Sequence, residues 1–109
     1  MVTLMIRDRN VRGNESPIHT SRIDIMRGES LSFLLDVTAI LPVAFTVLAV
    51  TSDVIHGRGI TLSGLSDDNG VVTGLCVASA DAAVKHLLGL QLALSGGDTW
   101  EFAIPVVTI

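Results

Sequence analysis

Residues 88–98 read LGLQLALSGGD. Leucine recurs at every second position from Leu88 to Leu94, and the run then breaks on Gly-Gly-Asp. Between the leucines stand only Gly89, Gln91 and Ala93. Side chains of a strand point to opposite faces in turn, so this is a strand with a leucine row in the core and a reverse side kept small. Gly-Gly readily supplies the positive φ of a tight connection to a following strand.

The same period of two runs through most of the chain. Leu31, Phe33, Leu35 and Val37 make one core-facing row, and Phe45, Val47 and Ala49 make another. Val71, Thr73, Leu75 and Val77 alternate with Val72, Gly74, Cys76 and Ala78, the first-named set being taken as the core row. Trp100, Phe102, Ile104 and Val106 close the series. Turn signals lie between the runs: RGES at 27–30, LP at 41–42, HGRG at 56–59 and SDDNG at 66–70. Six to eight short strands at this spacing predict an all-β fold, an antiparallel sandwich or barrel. Pro105 has no ladder donor to offer, so the last strand is expected at an edge or with a bulge there.

One segment departs from the alternation. Residues 79–88, SADAAVKHLL, place Ser79 as an N-cap, Asp81 in a first turn, Lys85 and His86 in a last turn, and Gly89 just beyond. These signals predict a helix of about two turns crossing from one sheet to the other.

The N-terminal part has a different character. Residues 7–20, RDRNVRGNESPIHT, hold few apolar side chains and no clear period. Residues 1–20 are therefore expected to form an arm, with the sandwich over 21–109. Within the arm, Val2, Leu4 and Ile6 form a strand that either closes the chain's own sheet or adds to a neighbour's. Arg7, Arg9 and Arg12 would meet acidic groups on the surface where the arm docks.

Composition bounds the rest. A chain of 109 residues is one domain by length. Hydrophobic residues make up 49% and charged ones 17%, with a mean hydropathy of +0.60. Either the core is well filled, or apolar surface is buried against neighbouring subunits. The longest apolar run, residues 39–50, contains Pro42 and Thr46 and has about half the length of a bilayer-crossing helix, so no membrane partner is expected. No secretory signal is expected either, because Arg7, Asp8 and Arg9 follow a very short apolar start. The single cysteine, Cys76, reads as a small buried apolar residue of a protein folded in a reducing cytoplasm. Net charge is −4. A net-acidic body argues against nucleic acid as a partner, since phosphate binding needs a basic face.

The residues of chemistry do not assemble. His19, His56 and His86 have no metal-ligand neighbours at useful spacing, and Cys76 has no second cysteine, so no metal or cofactor is expected. Asp67 and Asp68 are adjacent, but turn chemistry beside Asn69-Gly70 accounts for them. No GxSxG-like elbow presents a serine, and Gly57 and Gly59 precede no helix that could hold a phosphate. Enzymatic activity is not expected. Aromatics are limited to Phe33, Phe45, Trp100 and Phe102. Trp100 shares the phase of Phe102 and Ile104, which points it to the core, although a sugar platform after the SGGD turn is the competing reading.

The order of these features resembles a known family. RGES leads into LSFLLDVTA, then a proline and FTVLAVTS, GVVTGLCVASAD, LGLQLALSGGDTW and a closing strand. Over residues 22–109 this is similar to the small immunoglobulin-like domain of tailed-bacteriophage structural proteins, found at the start of baseplate upper proteins. The resemblance implies an immunoglobulin-like β-sandwich and a virion subunit of head decoration, tail or baseplate type. It further implies synthesis in the host cytoplasm, other virion proteins as partners and homo-oligomers. A second resemblance, to adhesin immunoglobulin-like repeats, rests on residues 59–74. It implies instead a carbohydrate- or adhesin-type binding module using Trp100, Asp67 and Asp68.

Overall fold

The computed structural model describes residues 1–7, 17–41 and 44–109. Nine strands are present among them: β1 Val2–Leu4, β2 Ile18–His19, β3 Ile23–Ile25, β4 Ser30–Asp36, β5 Val47–His56, β6 Ile60–Asp68, β7 Val71–Ala78, β8 Lys85–Leu94 and β9 Thr99–Thr108. One sheet has the order β1-β4-β7-β6. The other has the order β2-β9-β8-β5, with β3 also pairing β9. The long strands pair antiparallel, whereas β1 on β4 and both β2 and β3 on β9 are parallel. The two sheets pack face to face around one apolar core, a sandwich of 43 × 24 × 21 Å.

The leucine row fills the middle of that core. Leu88, Leu90 and Leu92 have no exposed surface, and Leu94 has almost none. Phe33, Leu35 and Val37 of the facing sheet are equally buried, as are Trp100, Phe102, Ile104 and Val106 on β9. Each fully buried side chain of this size contributes roughly 1.5–3 kcal/mol relative to exposure. The reverse side of β8 is small for a visible reason. A Cβ on Gly89 would stand 2.1 Å from Asp53 Oδ1, so the Asp53 side chain of β5 occupies that space.

Turn chemistry follows the sequence closely. Asn69 (φ 52°) and Gly70 (φ 90°) form the two-residue turn between Asp68 and Val71, with both central residues left-handed as a twisted hairpin requires. Gly97 (φ 95°) does the same service after the leucine strand.

Several features differ from the sequence expectation. Nine strands form rather than six to eight, because β1, β2 and β3 are short pieces supplied by the N-terminal segment. No helix forms over residues 79–88, and none is present among the described residues. Ser79 Oγ instead donates to Asp81 Oδ1 at 2.7 Å and Ala82 N–H donates to Ser79 O, so the cap residues make a turn. The chain is strand again from Lys85, paired with Val107, and His86 continues the buried leucine row. Pairing with β9 over this stretch outweighs helix preferences of only a few tenths of a kcal/mol per residue, roughly.

Strand phases differ too. In β7 the core row is Val72, Gly74, Cys76 and Ala78, not Val71, Thr73, Leu75 and Val77. Gly74 decides it: the Phe33 ring and Leu65 lie where its Cβ would be, at 2.8 Å. In β5 a bulge at Leu48 reverses the alternation, so Val50 packs inward and Ala49 is exposed. β9 is an interior strand without a bulge opposite Pro105. Proline is accommodated because β2 pairs at 102–103 and β3 at 106–108, leaving Pro105 between them with no ladder bond to lose.

Candidate interaction cleft

β5 and β6 are the outermost strands of their sheets on one flank, and neither has a ladder partner on its outer side among the described strands. Each carries a bulge where they face each other: Leu48 in β5, and the interval between Ser63 and Ser66 in β6. An open cleft runs between these edges. One part, about 400 Å³, is lined by Thr38, Leu41, Phe45 and Asn69 together with Val47 and Asp67. A second part of about 230 Å³ continues from the shared Val47 and Asp67 past Leu48, Val50 and Leu65, and its walls are mainly polar.

The local sequence builds these walls. Phe45 lies flat against the Gly96 backbone, where a Cβ would come within 2.5 Å of its ring. Thr46 N–H donates to Ser95 Oγ at 3.0 Å, and Ser95 N–H returns a bond to Thr46 O, which ties the floor to the SGGD turn. Asp67 Oδ1 accepts the Gly70 N–H at 3.0 Å, fixing the carboxylate beside the cleft.

The described basic side chains are unevenly placed along the molecule. At the cleft end, Asp36 and Asp68 both pair with Val71 across one sheet, Asp67 lines the cleft, and Asp98 follows the turn packed on Thr46. The Thr38 hydroxyl (2.6 Å), then its N–H (2.9 Å), bind Asp36 and hold its carboxyl below the usual value. The described basic side chains lie elsewhere. Arg27 donates to Ala82 O, Arg58 stands 3.8 Å from Asp81, Arg22 pairs with Asp24 at 2.8 Å, and Lys85 opens β8, all toward the opposite end. There, a hydrogen bond from Ser79 does most to lower the Asp81 carboxyl, with the Arg58 charge a lesser cause.

The arm residues are placed as follows. Val2 and Leu4 belong to β1 on the chain's own β4, with Leu4 buried, and Ile6 bridges Thr20. Arg7 is exposed, and its N–H donates to His19 O at 3.0 Å. Arg9 and Arg12 lie outside the described residues.

The remaining chemistry-bearing residues are dispersed. His19 and His56 are exposed on β2 and at the end of β5. His86 is buried, its Nε2 within reach of Thr108 Oγ1 (2.9 Å) and Ala83 O, while Nδ1 has no hydrogen-bond partner and faces Gly57. Burial pushes the Cys76 thiol up to about 11. Trp100 is 3% exposed and offers no ring to a sugar. Among the described residues no group of three or more His, Cys, Asp or Glu side chains could hold a metal ion.

Sequence reading treated Asp67 and Asp68 as turn residues and Phe45 and Val47 as core. It missed that Phe45, Val47 and Asp67 meet at a cleft. The signal was slight: an acidic hairpin tip and an apolar run that both end with no basic residue nearby. The chain matches no protein-family model, and no curated protein matches it in sequence.

Proposed function

We propose that this chain is a non-enzymatic structural subunit that assembles through protein–protein contacts, of the kind that builds a bacteriophage virion. The observation that carries the reading is apolar surface on a sparsely charged sandwich. Leu48, Val54 and Ile55 of β5 are 68%, 44% and 46% exposed, and Met5, Met26 and Val84 are exposed by half or more. Contacts with other subunits would withdraw this surface from water, which is the driving force for association.

The strand order supports the immunoglobulin-like form of the sandwich. β1-β4-β7-β6 follows the A-B-E-D order of that fold, and β5-β8-β9 follows C-F-G. The parallel β1–β4 pair is a departure from it. Head decoration, tail and baseplate are the places in a particle that the resemblance suggests.

Quantitative mass spectrometry of purified particles tests the reading. Hundreds of copies per particle would mean the head shell, and about six to eighteen the tail or baseplate, because copy number follows particle symmetry. Absence from washed particles, together with a monomer at high concentration in sedimentation velocity, would overturn it.

A further inference from the structure

We propose that the cleft between β5 and β6 receives an extended, basic segment of a partner protein. The inference rests on the reading of this chain as an assembly subunit and names the kind of contact that one flank makes. Three observations converge on it. β5 and β6, which flank the cleft, have no partner on their outer sides among the described strands and so present backbone donors and acceptors to a chain laid alongside. The two parts of the cleft meet at Val47 and Asp67, and Leu41 and Phe45 in the larger part give apolar purchase for side chains of such a segment. The described charges around it are of one sign.

That last point selects the occupant. Asp36, Asp67, Asp68 and Asp98 gather at this end, and the five described basic residues (Arg7, Arg22, Arg27, Arg58 and Lys85) lie at the other end or on the β1 flank. A segment with Lys or Arg at alternate positions would set its charges against these carboxylates while its backbone bonds the edges. An acidic segment would be repelled. Phosphate-bearing partners are disfavoured on the same ground.

A blocked hexapeptide of alternating lysine and valine is the probe, with a glutamate–valine hexapeptide as its counterpart. Titrations of the full chain are followed through backbone amide shifts. The lysine peptide is expected to give saturable shifts confined to residues 46–50 and 65–70, in the millimolar range or tighter for so short a ligand. The glutamate peptide should give none. Asp67→Asn with Asp68→Asn keeps the side-chain oxygen that holds Gly70, so the fold should persist while binding weakens by about five-fold or more. An unchanged amide spectrum away from the cleft verifies that fold. Equal binding of both peptides, shifts centred elsewhere, or no saturable shift at several millimolar (about 5 mM) would overturn the proposal. A chain that joins particles yet ignores the lysine peptide loses the cleft and keeps the subunit reading. A chain that binds the peptide at the cleft yet never joins particles keeps the cleft and loses the subunit reading.

Discussion

The two flanks of the sandwich are closed in opposite ways. On one, the edges of β4 and β9 are covered by β1, β2 and β3, strands of three, two and three residues. These bring Leu4, Ile18, Ile23 and Ile25 into the core. On the other, β5 and β6 run ten and nine residues with nothing outside them among the described strands. A long bare edge invites indiscriminate pairing, and short strands or bulges are the usual protection. The covered flank uses short strands. The open flank uses bulges at Leu48 and Ile55 in β5 and near Gly64 in β6, which interrupt the row of backbone groups without hiding it. Protection of the first kind seals an edge, whereas the second leaves it available to a partner with suitable side chains.

Removing the covering strands should have the largest effect. Deleting residues 1–20 takes away the buried side chains of Leu4 and Ile18 and bares the edge of β4 and that of β9 at residues 102–103. Two fully buried aliphatic side chains contribute about 3–6 kcal/mol together, against a total stability of roughly 5–15 kcal/mol. The deleted chain is expected to lose cooperative thermal unfolding, or to melt at least about 15 °C lower, in a circular-dichroism melt. A product melting within a few degrees of the parent would mean that residues 1–20 are a separable arm, and the covered flank would not differ from the open one.

Leu90→Ala and Leu48→Ala sharpen the contrast between interior and open edge. Leu90 has no exposed surface, while Leu48 is 68% exposed at a bulge. Truncation in the core costs roughly 2–5 kcal/mol and truncation on the surface less than about 0.5 kcal/mol. Urea midpoints of the two variants measure the gap. Near-equal midpoints would show that Leu48 packs in solution as a core residue, and the open flank would not be open.

The same contrast explains what was legible in the sequence. Strands β4, β8 and β9 alternate with one row clearly larger and more apolar than the other, so their phase could be read, down to Trp100 facing inward. In β7 both rows are apolar, and nothing local to Val71 or Val72 says which must face Phe33. In β5 the alternation is broken by residues that have no partner in β8, and a bulge leaves no compositional mark when the extra residue is leucine. The turn at residues 79–82 used the same serine and aspartate that cap helices, so only the pairing of Lys85 onward with β9 could decide against one. The cleft was illegible for a related reason: Val47 and Asp67 are twenty residues apart and meet only because two sheets end at the same place.

Glycine replacements separate a rigid neighbour from a yielding one. A Cβ at Gly74 would meet the Phe33 ring and Leu65 at 2.8 Å within the packed core. Gly74→Ala is expected to cost about 1–3 kcal/mol, the range for overpacking. A Cβ at Gly89 would meet Asp53 Oδ1 at 2.1 Å, closer still, yet Asp53 is exposed and can swing off the sheet. Gly89→Ala should therefore cost less than Gly74→Ala, and Asp53→Ala should recover much of its loss. Thermal melts of the three variants test this ordering. A larger loss at Gly89 that Asp53→Ala leaves uncorrected would mean that the Asp53 side chain is held rigidly over β8.

The smallest expected effect concerns the stitch that joins the open edge to the interior. Gln91 Nε2 donates to Asp53 Oδ1 at 3.0 Å, and Thr51 Oγ1 donates to Gln91 Oε1 at 3.3 Å, so one side chain of β8 binds two of β5. Water competes for these exposed groups, and a typical hydrogen bond contributes about 0.5–1.5 kcal/mol net even when protected. Gln91→Ala should thus lower global stability by no more than about 1 kcal/mol, since the backbone ladder between Thr51 and Gln91 remains. Its effect should be local. Amides of residues 50–54 are expected to exchange with deuterium faster than in the parent, while those of residues 100–104 in β9 stay unchanged, because edge strands open without the whole domain unfolding. Uniform acceleration across both strands would show that β5 has no independent opening, and that its edge is as firmly held as the flank covered by the N-terminal strands.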